Sequence, residues 1–237
     1  MEAIRVQSPS LTTRRKEFWT GARAILPILL GVAPFGMIYG VLARQSGISA
    51  PAAQSMSFIV FAGSSQFIGA QLIHQAVPAL VIVLTFFVVN LRHALYSASI
   101  ARFVQHLPPP WKLILAYLLT DEAYAVAINH YEQAGISKYA HYYFLGAGLG
   151  LWLCWQVSTA IGVFLGAVIP ASWSLDFALP LTFIALVVPA LKDRAGTASA
   201  LVGGVVALLA FSMPYKLGIL VAAAAGIIAG LLVEGKK

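Results

Sequence analysis

Charge is what this sequence has least of. Only 10% of its 237 residues are Asp, Glu, Lys or Arg, whereas 60% are hydrophobic. A soluble domain carries roughly 25% charged and 45–50% apolar residues, so this chain cannot clothe a globule in water. Cysteine is nearly absent too. Cys154 stands alone inside an apolar run, which precludes an internal disulfide and leaves the redox compartment open. Also missing are His-Glu-x-x-His and Cys-x-x-Cys spacings for a metal, a Gly-x-Ser-x-Gly elbow and a nucleotide-binding glycine loop. The five histidines (74, 93, 106, 130 and 141) are scattered. These absences exclude a soluble enzyme, a DNA-binding domain and a secreted disulfide scaffold. They also leave no metal, cofactor or catalytic constellation to assign.

What is present is apolar length. A helix needs about 20 mostly apolar residues to cross the roughly 30 Å hydrocarbon core. Eight segments qualify, near 22–43, 53–73, 78–103, 111–131, 141–169, 175–191, 196–213 and 216–233. No linker separates two domains. The expected fold is an all-α, polytopic transmembrane bundle of about seven to eight helices, with one permease domain over 21–237. Residues 1–20 form a cytoplasmic tail, disordered over its first dozen residues. The first apolar run is too long for a signal-peptide core and lacks a cleavage site.

The net charge of +7 invites a nucleic-acid reading, but its distribution argues for membrane topology instead. Arg5, Arg14, Arg15, Lys16 and Arg23 precede the first apolar stretch. With eight crossings and the N-terminus inside, ten basic residues fall at inner ends and four (Arg44, Arg102, Lys112, Lys216) at outer ends, as the positive-inside rule requires. Segment two is interrupted and segment six is short, so seven crossings with one re-entrant segment is the alternative.

Three segments carry interruptions. Segment one holds Pro27 and Pro34, the latter followed by Phe35-Gly36; segment two holds Gly63-Ser64-Ser65-Gln66 in mid-span; segment six holds Pro180 and Pro189. Discontinuous helices at the midplane are how many carriers expose backbone groups to substrate. The paired prolines also admit an inverted repeat relating segments one and six. Small residues recur every fourth position at Gly146, Gly150, Cys154, Ser158, Gly162 and Gly166, and again at Gly218, Ala222, Gly226 and Gly230. Such stripes let helix backbones approach closely. They serve packing within the chain or, alternatively, dimerisation.

Ionisable groups inside a membrane usually face a cavity or a partner. Segment four places Thr120, Asp121 and Glu122 near its middle. Segment three places Asn90, Arg92 and His93 about halfway along. Asp121, Glu122 and His93 are candidates for proton coupling. Arg92 can bind a carboxylate bidentately, either a substrate's or that of Asp121 or Glu122.

In the strings GVAPFGMIYG, FAGSSQFIGAQL, NLRHALYSASI, TDEAYA and DFALPLTFIALVVPAL the chain resembles the AzlC family, the large subunit of two-component branched-chain amino acid exporters. The likeness runs in unbroken order over roughly residues 20 to 233. It implies a bacterial inner-membrane permease with a small hydrophobic AzlD-type partner, expelling leucine, isoleucine, valine, and also methionine or analogues, by ion-motive force. A zwitterionic ligand needs donors for its carboxylate. Pro34, Phe35, Gly36, Gly63, Ser64, Ser65, Gln66, Asn90 and Arg92 are the candidate substrate-binding residues. Asp121 or Glu122 would meet the ammonium or carry the proton, and Phe35, Phe61, Phe67 and Tyr124 would form walls. The alternatives are a structural subunit whose partner supplies the pathway, and a channel for small solutes.

Overall fold

Helix forms wherever the apolar segments lie. A computed structural model describes residues 13–134, 138–168, 191, 193–213 and 217–234. Among them are ten helices: α1 (Arg14–Ala24), α2 (Leu26–Gln45), α3 (Ala50–Val60), α4 (Gly63–His74), α5 (Ala79–Val104), α6 (Pro109–Tyr117), α7 (Asp121–Ala134), α8 (Ala140–Val168), α9 (Arg194–Leu209) and α10 (Gly218–Glu234). Segment six lies outside the described residues except for Leu191.

Helix α1 begins where the Thr13 hydroxyl accepts a hydrogen bond from the Lys16 backbone N–H at 3.2 Å. Glu17 in its first turn and Arg23 in its last suit the helix dipole. The tail expected to reach residue 20 is therefore helical from Arg14 onward. Helix α2 follows after a break at Ile25, with Pro27 in its first turn, and runs unbroken through Pro34, so segment one is interrupted ahead of Pro27 and not at Pro34. One lost hydrogen bond is tolerated because the next turns are clamped. Gly36 lies against Ser158, and a Cβ at Gly40 would strike the backbone at Thr159 and Val163.

Those contacts belong to a seam in which α1 and α2 run parallel to α8. Gly21 lies on the Tyr143 backbone, Gly150 on Ile25, Gly162 on Met37 and Gly166 on Val41. The first small-residue stripe is thus packing within the chain. The second does the same between α10 and α9, with Gly218 on Ala210 and Gly226 on Ser199.

Among the described residues only α2, α5 and α8 are long and apolar enough to cross a bilayer. A 26-residue helix such as α5 is about 39 Å long. Their outer faces are apolar: Leu30 is 82% exposed and Leu95 73%. Segment four, read as a crossing, and segment two, for which a re-entrant course was the alternative, are both pairs of half-length helices that turn back at mid-depth. Helix α3 descends from the far end of α2; Tyr39 Oη donates to the Ala53 carbonyl at 3.0 Å, and Gln54 Nε2 donates to Gln156 Oε1 at 2.8 Å. The chain turns at Phe61, held at φ 36°, and α4 climbs back, with Phe67 edge-on to Tyr39 and Gly69 beside Phe86.

Helices α6 and α7 repeat this from the opposite end. Trp111 packs on His141 and Tyr142 at the start of α8, and Leu118 reaches Gly148. Helix α7 then returns alongside the second half of α5. Arg92 meets Asp121, Tyr96 stacks on Tyr124, Phe103 packs on Tyr131, and Arg102 pairs with Glu132 at 2.7 Å. His130 ends face to face with Tyr143, with ring centroids 3.7 Å apart. A span followed by a re-entrant pair thus occurs twice in opposite sense, as α2–α3–α4 and α5–α6–α7. An inverted relation joins these two units; the one expected between segments one and six falls on residues outside the described ones.

Candidate functional site

The two re-entrant tips meet in the middle of the bundle. Tyr117, the last residue of α6, donates from its hydroxyl to the Phe58 carbonyl on α3 and accepts from Trp152 Nε1 at 2.8 Å. Phe61 lies 5.8 Å from the Tyr117 ring. Phe61 adopts left-handed backbone, which costs a non-glycine residue of order 1–3 kcal/mol and is kept only where the surroundings enforce it. That turn ends α3 and starts α4 within two residues.

The starts of α4 and α7 differ. The N-cap of α4 is Ala62, which has no side chain to accept from the first turn. The N-terminus of α7 is capped: Thr120 Oγ1 accepts from the Ala123 N–H at 3.3 Å, and Asp121 and Glu122 occupy its first turn. Unsatisfied amides at a helix start carry partial positive charge and attract anions. The α4 tip is therefore electropositive and the α7 tip electronegative.

Arg92, about halfway along α5, joins the two. Its Nη2 donates to Ser64 Oγ at 3.1 Å and its Nη1 lies 2.7 Å from Asp121 Oδ2. Between the tips is a cavity of about 600 Å³, within the range of small-molecule sites. Its walls are Ile28, Gly31, Val32 and Phe35 of α2, Leu151 and Trp155 of α8, and Phe61 and Phe67 at the first tip. Polar groups come from Ser64, Arg92, His93, Tyr96, Thr120, Asp121 and Glu122. Leu191, the last residue of segment six, also lines it.

Most of the residues singled out in the sequence converge here. Phe35, Gly63, Ser64, Arg92, His93, Asp121 and Glu122 all border the cavity. The others do not line it. Pro34 is exposed on α2. Gly36 is a packing glycine against α8. Ser65 and Gln66 are fully buried behind the α4 start, where Gln66 Oε1 accepts from Trp155 Nε1 at 3.0 Å. Asn90 is half-buried on α5 with its side-chain oxygen unpartnered. Of the expected aromatic walls, Phe35, Phe61 and Phe67 line the cavity, whereas Tyr124 stacks on Tyr96 with its hydroxyl 2.8 Å from Ser99 Oγ. Sequence reasoning missed Gly31, Tyr96, Leu151 and Trp155 as lining residues. It also missed the break in segment four, although Thr120-Asp121-Glu122 is a helix-start signature in mid-span.

The chain is similar to several known membrane proteins. An uncharacterized membrane protein of Archaeoglobus fulgidus is 35% identical over 84% of this chain and 88% of its own length. The inner membrane protein YgaZ of Escherichia coli is 27% identical over 91% of this chain and 88% of its own. The branched-chain amino acid transport protein AzlC of Bacillus subtilis is 27% identical over 85% and 82%. No solved structure matches. The family profile described as AzlC protein matches residues 27–169, which include α2, both re-entrant pairs and all of α8, and on that match, with the archaeal relative covering most of its length, this membrane protein belongs to the AzlC family.

Proposed function

We propose that the chain transports amino acids across the bacterial inner membrane, exporting the branched-chain ones by ion-motive force together with a small AzlD-type membrane subunit. The observation that carries this reading is the cavity between oppositely polarised helix tips. An ammonium and a carboxylate find opposite charges there, while Ile28, Val32, Phe35, Leu151 and Trp155 receive an aliphatic side chain. The name of the Bacillus subtilis relative supports the substrate class. Asp121, Glu122 and His93 border the same space and supply groups for coupling to protons.

The end of the bundle bearing α1 faces the cytoplasm. With two re-entrant pairs, Arg14, Arg15, Lys16, Arg23, Arg102, Lys112 and Lys138 gather at that end, and Arg44 lies at the other. This sharpens the charge asymmetry beyond that of an eight-crossing arrangement.

The experiment is leucine efflux from cells loaded with a leucine-containing dipeptide, expressing the full chain with or without the small membrane subunit. Faster efflux against the gradient, lost when the proton gradient is collapsed, is the expected outcome. Leucine retention identical to that of cells lacking the chain, in both arrangements, would defeat the proposal.

A further inference from the structure

The tie between Arg92 and Asp121 is only half made. One guanidinium nitrogen meets one carboxylate oxygen at 2.7 Å. Arg92 Nε and the other oxygen, Asp121 Oδ1, are shut off from water and close no well-formed hydrogen bond, although the Tyr96 hydroxyl stands beside the carboxylate. A strong arginine–carboxylate brace closes two parallel hydrogen bonds. This one strands a donor and an acceptor inside a low-dielectric bundle, where unmade bonds are costly. Yet the two side chains are 35% and 36% exposed and border the central cavity. The pair is thus incomplete and borders the cavity, where a ligand reaches the stranded atoms only by parting it.

We propose that the Arg92–Asp121 pair fills its own binding site when the cavity is empty, and that a zwitterionic α-amino acid divides it. The ligand carboxylate goes to Arg92 and the ligand ammonium to Asp121. This rests on the transport reading above and adds what the site recognises: two opposite charges carried on one carbon. In an α-amino acid those charges are neighbours, so their receptors must also be neighbours, as Arg92 and Asp121 are. Ser64 keeps the guanidinium in place when Asp121 releases it. The exchange replaces one neutral pair by two, so loading adds no net charge to a region where charge is expensive. A ligand lacking either head group would leave one member stripped of its partner, a costlier state than the closed pair.

Exchange of labelled for unlabelled leucine, in whichever arrangement of the preceding experiment moves leucine, tests this. The competitors are 4-methylpentanoate, which lacks the amine, and isoamylamine, which lacks the carboxylate. Each is expected to compete at least tenfold more weakly than leucine. Arg92→Gln and Asp121→Asn should each abolish exchange. The double variant, with no stranded charge, should recover membrane-inserted protein and still not exchange. Competition by either analogue within tenfold of leucine would overturn the inference. So would leucine exchange by the double variant, because the pair would then be a brace. If the wild-type chain moves no leucine, the transport reading falls and takes this inference with it; either of the other two results, obtained with an active wild type, removes the inference alone.

Discussion

The two re-entrant pairs share a shape and differ in chemistry. Both reach mid-depth, turn within two or three residues and start a new helix there. The α3–α4 turn is uncharged, strained at Phe61 and uncapped at Ala62. The α6–α7 turn is capped by Thr120 and acidic at Asp121 and Glu122. Packing on α8 explains the common shape. The difference is not needed for packing, since a capped start would stabilise α4 just as it does α7. It produces a site with a positive wall and a negative wall, and the arginine between them responds to both.

The sharpest way to break the comparison is topological. In a Cys154→Ser background, cysteines at Ser49 and Gln75 flank the first pair, and cysteines at His106 and Lys138 flank the second. Re-entrance requires impermeant maleimide to label Ser49→Cys and Gln75→Cys from one side only. His106→Cys and Lys138→Cys should react from the other side, the cytoplasmic one. Opposite-side labelling within either couple would mean that the segment crosses.

Next in size are changes at the tips. At the first tip, a Cβ on Gly63 would already lie 3.0 Å from the Trp155 ring. Gly63→Leu should therefore force its remaining atoms into the cavity and abolish leucine efflux while membrane levels stay near wild type. Normal efflux would show that backbone approach at α4 is unimportant. At the second tip, Asp121→Asn and Glu122→Gln separate two roles. Asp121→Asn, which removes the ammonium's partner, should lose both uphill efflux and exchange, whereas Glu122→Gln, which removes a proton carrier, should lose at least tenfold in uphill efflux yet retain exchange. Full uphill efflux by both variants would leave neither role standing.

The smallest effects concern the caps. Thr120→Ala removes the α7 cap and should cost about 1 kcal/mol of stability, read as a lower melting temperature. Ala62→Ser places a hydroxyl over the α4 amides. It should leave the melting temperature equal or higher while weakening leucine binding several-fold. Binding unchanged in Ala62→Ser would mean that the open amides of α4 take no part in recognition.

Hydropathy located the apolar segments well because burial in lipid imposes length and composition directly on the sequence. The chemistry of the site was legible for a related reason. Arg92, Asp121 and Glu122 are too costly in mid-membrane to be there without a cavity or partner. Prolines were uneven guides. Pro34 sits in an unbroken α2, because contacts with α8 two and six residues later hold the helix together. The breaks within the expected segments, among the described residues, lie at Ile25, Phe61-Ala62 and Leu118–Thr120, and only the first has a proline beside it, Pro27.

The sequence by itself thus determined a helical membrane protein, its family likeness, the basic end and the residues that carry charge at mid-depth. Only the tertiary structure decided that segment four turns back rather than crosses, and that segment two takes the re-entrant course of the two left open to it. A 21-residue apolar string satisfies the bilayer equally as one long helix or as two short ones, since every backbone group in either can find a partner. What tips the balance lies on α8. The Ser57–Thr159 and Gln156–Ser57 hydrogen bonds hold α3, and Trp152 and Gly148 receive the end of α6. These contacts join residues up to 102 positions apart. Local hydropathy holds no record of them, and the opposed tips, the Arg92 tie and the cavity exist only once they form.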